Sequence, residues 1–335
     1  MAASVCLPAL HSGFSPPAFS HGRFVFNLRA STHAFSDFPF SGPPFAFIQR
    51  SKVRRRTSVP PSHFWVRASK GTTELVQEEG GEDFTILTTA RSQYNEIVIV
   101  DTPQSRLLLL DSTHNIHSIC NKGEKWTGFF WDEFVSLPAV IPQGPIAIFG
   151  LGGGTAAHLL LESWPHLHLE GWEIDGILVE KAREFLGLAD VEKPNQDGGV
   201  LHVHVGDAFS PAAVVPGGFA GIVVDLFSDG KLLPQLQQVS TWLDLRKRLM
   251  PDGRIMVNCG GAYAARFNAT IKALIRAFPG NLSWRKLSTA ETENYLTLTG
   301  PMPDLSLWAT LVPDRLSSNL HQWKPCEKKK RKRKQ

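Results

Sequence analysis

The chain has few cysteines, no long apolar run and almost no acidic residues in its first fifth. Its four cysteines, Cys6, Cys120, Cys259 and Cys326, form no C-x-x-C pair. A disulfide framework and a cysteine-based zinc site are therefore excluded, and a reducing compartment is predicted. No uninterrupted apolar segment approaches the roughly 20 residues that a membrane-spanning helix needs, so the sequence predicts no membrane span.

Acidic residues are nearly absent from residues 1–68, which hold eight Lys and Arg but only Asp37 as an acid. This segment is also rich in Ser, Pro and Phe. Such a composition is typical of an organellar transit peptide, and a cleavage site is predicted near Arg67–Ser69. We therefore expect a disordered transit peptide over 1–68 and localisation in the chloroplast stroma. Mitochondrial import and a disordered cytosolic tail are the alternatives.

Basic charge is concentrated again at the other end, where residues 328–334 are all Lys or Arg. Residues 69–327 keep 20 basic and 30 acidic residues, a net charge of −10. An acidic body does not favour general nucleic-acid binding. We expect a basic, disordered tail over 313–335, through which RNA, a nuclear import factor or an anionic surface could be contacted.

Residues 84–125 are predicted to form a small antiparallel β-module. Short runs rich in β-branched and aromatic residues alternate there with polar breaks, and Thr102–Ser105 has the composition of a turn. The predicted strands are Phe84–Thr89, Tyr94–Asp101, Arg106–Asp111 and Asn115–Cys120.

Residues 126–312 alternate apolar runs with helical patterns, which predicts an α/β domain with a doubly wound, Rossmann-like parallel sheet. An aromatic-rich helix is expected over Gly128–Leu137. The predicted strands are 146–150, 167–173, 200–205, 219–225 and 253–258, with helices near 154–163, 175–187, 234–249 and 262–277. Two further β segments, Leu282–Leu287 and Asn294–Thr299, have no helix between them. This terminal antiparallel hairpin is typical of the methyltransferase-type variant of the fold.

Ligands of open parallel sheets bind outside the carboxyl ends of the strands, and those ends are rich in glycine and acid here. Gly150, Gly152 and Gly154 end the first strand and open a helix, so the backbone can approach a ligand closely. Glu173 ends the second strand and is placed to accept hydrogen bonds from two ribose hydroxyls. Asp207 follows the third strand and is placed to receive an adenine amino group. Taken singly, Glu173 could be a solvated acid before a helix and Asp207 a helix N-cap.

These residues predict an S-adenosylmethionine (AdoMet)-type cofactor. The NAD fingerprint needs a third glycine where this chain has Thr155. Asp225 ends the buried fourth strand and is the candidate catalytic base for an attacking amine. It could instead cap the next helix or support the glycine loop. Two histidine pairs, 166/168 and 202/204, have metal-compatible spacing, but nearby sequence supplies no third ligand, so no metal site is predicted.

The same residues resemble the spermidine synthase (polyamine aminopropyltransferase) family. The likeness covers about residues 85–300. It includes Ser92–Ile97, Leu109–Asp111, Asp132-Glu133-Phe134, the Gly150 loop, Glu173–Asp175, Gly206-Asp207 and Asp225. The resemblance implies a homodimer that moves an aminopropyl group from decarboxylated AdoMet to putrescine, with Asp225 in the position of the acid that deprotonates the amine.

The chain also departs from this family pattern. Gly153 stands where the family's G-G-G-D-G-G loop has an aspartate that meets the cofactor's amine. Val135-Ser136-Leu137 stands where a substrate-binding Tyr-His/Gln-Glu triplet follows D-E-F. We therefore expect a spermidine-synthase-like group transferase acting on a small-molecule amine or another nucleophile. The alternatives are an AdoMet-dependent methyltransferase and a catalytically degenerate homologue with a scaffold or RNA-binding role.

Overall fold

The computed structural model describes residues 84–110, 115–228, 230–261, 264–288 and 293–326, together with three strands nearer the N-terminus. Those three strands, β1 (Phe26–Leu28), β2 (Phe64–Ser69) and β3 (Thr72–Gln77), form a separate sheet. The rest of the segment predicted to be a transit peptide, and the basic run 328–334, lie outside the described residues. Among the described residues, no helix is long and apolar enough to cross a membrane.

The predicted β-module is a four-stranded antiparallel sheet whose strands pair in chain order. Its second and third strands carry fully buried side chains, including Ile97, Ile99 and Leu108. These side chains lie in the apolar runs from which the sheet was predicted, and they pack it against the rest of the chain. Its strands are β4 (Thr85–Arg91), β5 (Glu96–Asp101), β6 (Ser105–Leu109) and β7 (Ile116–Asn121).

The central sheet has eight strands and confirms the predicted methyltransferase-type topology. Five strands are parallel, and the terminal hairpin and a short last strand are added antiparallel to them. The strands are β8 (Ile146–Phe149), β9 (His168–Glu173), β10 (Val200–Val205), β11 (Phe219–Val224), β14 (Leu249–Asn258), β15 (Leu282–Ser288), β16 (Glu293–Thr299) and β17 (Lys324–Pro325). Their spatial order is β10-β9-β8-β11-β14-β16-β15-β17. A two-stranded hairpin, β12 (Phe227–Ser228) and β13 (Lys231–Leu232), follows β11.

Helices cover both faces of this sheet, and each face has its own apolar core. Strands β8 and β11 are buried along their whole length, as expected for central parallel strands between two layers of helices. The helices are α1 (Trp131–Phe134), α2 (Thr155–Ser163), α3 (Gly176–Phe185), α4 (Leu188–Val191), α5 (Val239–Lys247), α6 (Ala264–Ala277), α7 (Leu305–Leu311) and α8 (Asp314–Ser317). Three 3₁₀ turns lie at Pro138–Val140, Pro234–Gln237 and Leu320–Gln322.

Residues 313–326 are folded, so the prediction of a disordered tail from residue 313 is wrong for this part. Helix α8 is followed by a 3₁₀ turn and by β17, which pairs with β15. Leu320 and Trp323 are almost fully buried, and the ring of Trp323 lies 5.7 Å from that of Trp308. Apolar burial therefore outweighs the polar, charged composition that suggested a tail.

Two predicted helices are shorter than expected. The segment predicted as a helix over Gly128–Leu137 forms only the single turn α1, followed by a 3₁₀ turn that begins at Pro138. The helix predicted over 234–249 begins with a 3₁₀ turn at Pro234 and is α-helical only over Val239–Lys247. In both places a proline lies at the first position of a turn, where its missing N–H costs no hydrogen bond.

Candidate functional site

The glycine loop lies between β8 and α2, at the edge of the sheet where the strand order reverses. Gly150, Gly152 and Gly154 have φ values of +90°, +56° and +91°. A Cβ on Gly150 would lie 2.2 Å from the backbone oxygen of Asp225. Glycine is therefore required at position 150 both by its φ and by the close approach of the β11 backbone.

We expect Gly150→Ala to abolish nucleoside binding and to lower the free energy of unfolding. The left-handed φ alone costs roughly 1–2 kcal/mol, and the clash with Asp225 adds to this cost. Calorimetric titration with AdoMet and urea unfolding would measure the two effects. Gly198→Ala is the matched control, because Gly198 has a φ of +82° and nothing within 4 Å of its added Cβ. Unimpaired nucleoside binding by Gly150→Ala would contradict the role of this loop.

Gly153 is enclosed by the β-module and by the end of α3. Its N–H donates to Ser118 Oγ at 2.8 Å. An added Cβ would lie 2.5 Å from Leu186 Cδ1 and 2.9 Å from Ser118 Cβ. An aspartate at this position would therefore need both neighbours to move, so the glycine is part of the packing of this chain.

Thr155, the first residue of α2, holds the β-module against the loop. Its hydroxyl accepts from Ile119 N at 2.8 Å and lies 3.0 Å from Ile119 O, to which it donates. Both contacts are made to β7, the strand that also carries Ser118. The β-module is thus a fixed wall of the site.

Glu173 points its carboxylate at the glycine loop from the end of β9. Its Oε2 accepts from Gly152 N at 2.9 Å, and its Oε1 accepts from Asp175 N at 3.2 Å. Burial raises the pKa of this carboxyl above its ordinary value, and the hydrogen bonds from the loop backbone offset part of that rise. The structure therefore brings Glu173 and the glycine loop together, as the sequence predicted.

Asp175 contributes to the site but was not among the predicted site residues. Its Oδ1 accepts from the N–H groups of Ile177 and Leu178 and caps α3. Its Oδ2 accepts from Ser92 Oγ at 2.6 Å and from Asn95 Nδ2 at 2.8 Å, in the turn between β4 and β5. An aspartate immediately before an amphipathic helix was a signal for the cap, but nothing local indicated the long-range partners.

Asp207 lies beside Glu173 at the same edge of the sheet. The N–H of Gly206 donates to Glu173 O at 2.8 Å, which aligns the ends of β9 and β10. The side chain of Asp207 is exposed, and its Oδ1 accepts from Phe209 N at 2.8 Å. The segment that follows is a turn, so the alternative that Asp207 caps a helix is wrong, although its carboxylate does cap the turn.

Exposed apolar side chains lie around Glu173 and Asp207. Ile174 and Ile177 are 42% and 38% exposed, and Val205 is 57% exposed. An added Cβ on Gly176 would lie 3.3 Å from Val205 Cγ1, so β10 lies directly against the start of α3. This combination of apolar surface and acidic groups has the chemistry that a nucleoside base and ribose need.

Asp225 lies at the end of β11, and both of its carboxylate oxygens accept hydrogen bonds. Trp131 Nε1 donates to Oδ2 at 3.1 Å, and Asn258 Nδ2 donates to Oδ1 at 2.9 Å. Burial raises the pKa of Asp225 to about 6, against the lowering effect of these two donors. The carboxyl therefore titrates just below neutral pH and is mainly ionised at pH 7, as a general base requires.

Neither donor to Asp225 was predicted. Asn258 ends β14, the next parallel strand, so the strand-end rule that found the other residues could have found it. Trp131 lies 94 positions before Asp225 in the chain. Only the packing of α1 against the sheet brings its indole to the carboxylate.

Asp132 and Glu133 of the Asp132-Glu133-Phe134 segment have structural roles. Asp132 accepts from Thr127 N, Thr127 Oγ1 and Gly128 N at 2.7 to 2.9 Å. Glu133 forms a buried ion pair with Arg285 of β15. These carboxylates hold α1 in place, and it is the neighbouring Trp131 that reaches the site.

The histidines on β10 share one carboxylate. His202 Nδ1 lies 3.0 Å from Glu170 Oε1, and His204 Nε2 lies 2.6 Å from Glu170 Oε2. The His204 ring also stacks on Trp172 at 4.4 Å. In the part of the chain that the structure describes, no group of three or more His, Cys, Asp or Glu side chains is arranged to hold a metal ion.

No protein-family model matches the chain. Among curated proteins, it is similar to a Bifidobacterium longum protein named "Probable polyamine aminopropyl transferase", with 25% identity over 169 residues. The aligned region is 50% of this chain and 36% of that protein, so the chain matches little more than a third of its relative's length.

Solved structures show the same fold. The spermidine synthase of Thermotoga maritima superposes with a TM-score of 0.54 at 12% identity, covering 76% of this chain and 83% of that one. A spermidine synthase in complex with the transition-state analogue AdoDATO superposes with a TM-score of 0.55 at 13% identity, covering 76% and 84%. The chain therefore has the fold of spermidine synthases, and the curated relative supports the resemblance found in its sequence.

Proposed function

We propose that this chain is a group transferase that uses an AdoMet-type cofactor and an amine acceptor, with Asp225 as the base. The observation that carries the proposal is the placement of Asp225 at the same sheet edge as the glycine loop and Glu173, in a setting that raises its pKa to about 6. The similarity to a polyamine aminopropyl transferase supports transfer of an aminopropyl group as the specific reaction.

The residues present fit a nucleoside cofactor. Gly150 and Gly152 have left-handed φ values, and added Cβ atoms would lie 2.2 Å from Asp225 O and 3.0 Å from Ser118 Oγ, so only glycine lets the loop keep this shape against the protein. In the proposed complex, Glu173 holds the ribose hydroxyls, Asp207 receives the adenine amino group, and the apolar side chains beside them cover the base.

When bound, the cofactor supplies a carbon attached to a positively charged sulfur, which leaves as a neutral thioether. Asp225 accepts the proton that the amine nitrogen loses as it forms its new bond to that carbon. Trp131 and Asn258 orient the carboxylate and favour its ionised form. Each oxygen keeps a second lone pair, so both donors can remain in place while the amine proton is taken.

Methyl transfer from ordinary AdoMet is the second candidate, and the packing of Gly153 favours it. A carboxylate at this position would attract the cofactor's ammonium group and repel the carboxylate that only ordinary AdoMet carries. Gly153 has no side chain, so this chain has no such charge at that point, and Ser118 and Leu186 leave little room for one. Selection for the decarboxylated cofactor therefore has to come from elsewhere in the site, or is absent.

Calorimetric titration of the full-length chain with AdoMet and with decarboxylated AdoMet tests the proposal. We expect both to bind, with dissociation constants within about tenfold of each other. The chain lacks a carboxylate at position 153, which would attract the ammonium group of both cofactors and repel the carboxylate of AdoMet. Turnover of putrescine with the decarboxylated cofactor would identify aminopropyl transfer. Binding of AdoMet without putrescine turnover would favour methyl transfer. If neither compound binds, both enzyme functions are wrong and the scaffold alternative stands.

Location and assembly are further proposals. We propose that residues 1–68 direct the chain to the chloroplast stroma, that the folded part forms a homodimer, and that nucleic acid is contacted only through Lys328–Lys334. Their support is the charge distribution of the sequence and its resemblance to the spermidine synthase family. Import assays with a fusion of residues 1–68, and light scattering of the chain, would test the first two.

A further inference from the structure

Arg248 lies immediately after α5, and its guanidinium is buried beneath the loop that carries Asp207. Its Nη1 donates to Ala208 O at 3.0 Å and to Ala213 O at 3.1 Å, and its Nη2 donates to Phe209 O at 3.0 Å. The side chain is 6% exposed. A single cation thus satisfies three backbone carbonyls of one loop.

Asp244 fixes this guanidinium from the preceding turn of α5. Its Oδ2 accepts from Arg248 Nη2 at 2.7 Å and from Nε at 3.2 Å. The planar fork of arginine permits these contacts to be made together with the three carbonyl contacts. Lysine, which has one nitrogen, cannot reproduce them.

The contacts of Arg248 continue directly to Asp207 through the peptide unit that joins Ala208 to Phe209. The Ala208 carbonyl accepts from Arg248 Nη1 at 3.0 Å, and the Phe209 N–H of the same peptide unit donates to Asp207 Oδ1 at 2.8 Å. The N–H of Ser210 also donates to Asp207 O at 2.9 Å. Residues 206–218 contain no helix or strand, so their shape depends on such contacts instead of on a regular backbone pattern.

We propose that Arg248 is a positioning residue that sets the Asp207 loop and thereby the selection of an adenine base. The proposal rests on the proposed function, because it assumes that Asp207 receives the adenine amino group. Arg248 itself does not touch the ligand. It holds the peptide unit between Ala208 and Phe209 by its carbonyl, and the N–H of that unit fixes one oxygen of Asp207, leaving the other to accept from the base.

The test compares the dissociation constants of adenosine and inosine for the full-length chain. Inosine has an oxygen where adenosine has the amino group, so the hydrogen bond from that position to Asp207 is lost. We expect the native chain to prefer adenosine by about tenfold, the value of one hydrogen bond to a charged acceptor. In Arg248→Met the preference should disappear, so that the dissociation constants of adenosine and inosine become about equal. A loss of stability alone would weaken both nucleosides equally and leave their ratio unchanged.

Arg246→Met is the matched control, because it removes the same charge from the same helix. Arg246 is exposed; it donates to Ala277 O at 3.4 Å and lies 5.9 Å from the centre of the Phe278 ring, and neither residue belongs to the Asp207 loop. Its adenosine preference should equal that of the native chain. Arg248→Met introduced into an Asp207→Ala background should produce no further change in the ratio, since both substitutions remove the same interaction.

Asp244→Asn provides a second variant if Arg248→Met does not fold. Asp244 is 55% exposed, and its replacement frees the guanidinium without removing it. We expect the ratio of the inosine to the adenosine dissociation constant to fall below the native value of about ten, without reaching one. A folded Arg248→Met, or failing that Asp244→Asn, with the native ratio would overturn the positioning role alone. Failure of the native chain to bind either nucleoside would instead overturn the proposed function, and the role of Arg248 with it.

Discussion

Replacing Asp225 with Asn should lower turnover by about 10²- to 10⁴-fold, the usual contribution of a general base. The substitution keeps the size of the side chain but removes the group that accepts the amine proton. Binding of the cofactor should change little, because Glu173 and the glycine loop make the proposed nucleoside contacts. We therefore expect a loss in kcat with a nearly unchanged calorimetric dissociation constant for AdoMet or its decarboxylated form.

Asp252→Asn is the matched control for this substitution. Asp252 is exposed and has a φ of +62°, a conformation that Asn adopts readily. Its turnover should equal that of the native chain. If turnover by Asp225→Asn stays within threefold of the native value, Asp225 is not the base. It would then support the glycine loop, which its backbone contacts at Gly150.

The pH dependence of kcat/KM gives an independent measure of the same group. Asp225 acts as a base only when ionised, so kcat/KM should rise with pH through about 6 and then level off. Trp131 donates to the ionised form and lowers the pKa of Asp225. In Trp131→Phe the rising limb should therefore move to higher pH, whereas Asp225→Asn should lack it.

The strand-end residues could be predicted because they depend on local sequence periodicity. The central strands β8 and β11 are short apolar runs, and the residue that ends a parallel strand lies at one edge of the sheet whatever the rest of the chain does. Gly150, Glu173, Asp207 and Asp225 were all located in this way. The terminal hairpin was predicted for the same reason, since two β segments without an intervening helix have to pair antiparallel.

The contacts that set the position and the pKa of these side chains could not be predicted. Trp131, Arg248 and Ser118 reach the site through packing between elements far apart in sequence, and no local pattern encodes that approach. The folded segment 313–326 was missed for a related reason. Its buried residues Leu316, Leu320 and Trp323 lie close to the basic run, and the composition averaged over the whole tail concealed them.

Breaking the ion pair between Glu133 and Arg285 should have the largest effect on stability. The two side chains are only 6% and 4% exposed, and they join α1 to β15. Arg285→Met leaves a buried carboxylate without its partner, which costs about 3–5 kcal/mol of unfolding free energy. Urea unfolding at pH 7.5 would measure this loss. Lys193→Met is the control, because the ion pair of Lys193 with Asp190 is 72% and 79% exposed and should contribute about 0–1 kcal/mol.

The double variant Glu133→Gln/Arg285→Met distinguishes an uncompensated charge from a loss of packing. Burial raises the pKa of Glu133, and Arg285 offsets part of that rise. Without Arg285 the folded-state pKa should rise further above the ordinary value of 4.5. The single variant should then regain stability as the pH falls through that raised pKa, because the folded state binds the proton more tightly than the unfolded state.

The double variant lacks the titrating group, so it should be more stable than Arg285→Met at pH 7.5 and should not show this recovery. Equal stability of the two variants at every pH would mean that the arginine contributes only by filling space. In that case α1 would be held by the hydrogen bonds of Asp132 and by the buried side chains of Trp131 and Phe134. Because α1 carries the indole that donates to Asp225, its position also bears on catalysis. The loss of stability in Arg285→Met should therefore be accompanied by a rise in the pKa of Asp225. In the folded variant, the rising limb of the kcat/KM profile should move to higher pH.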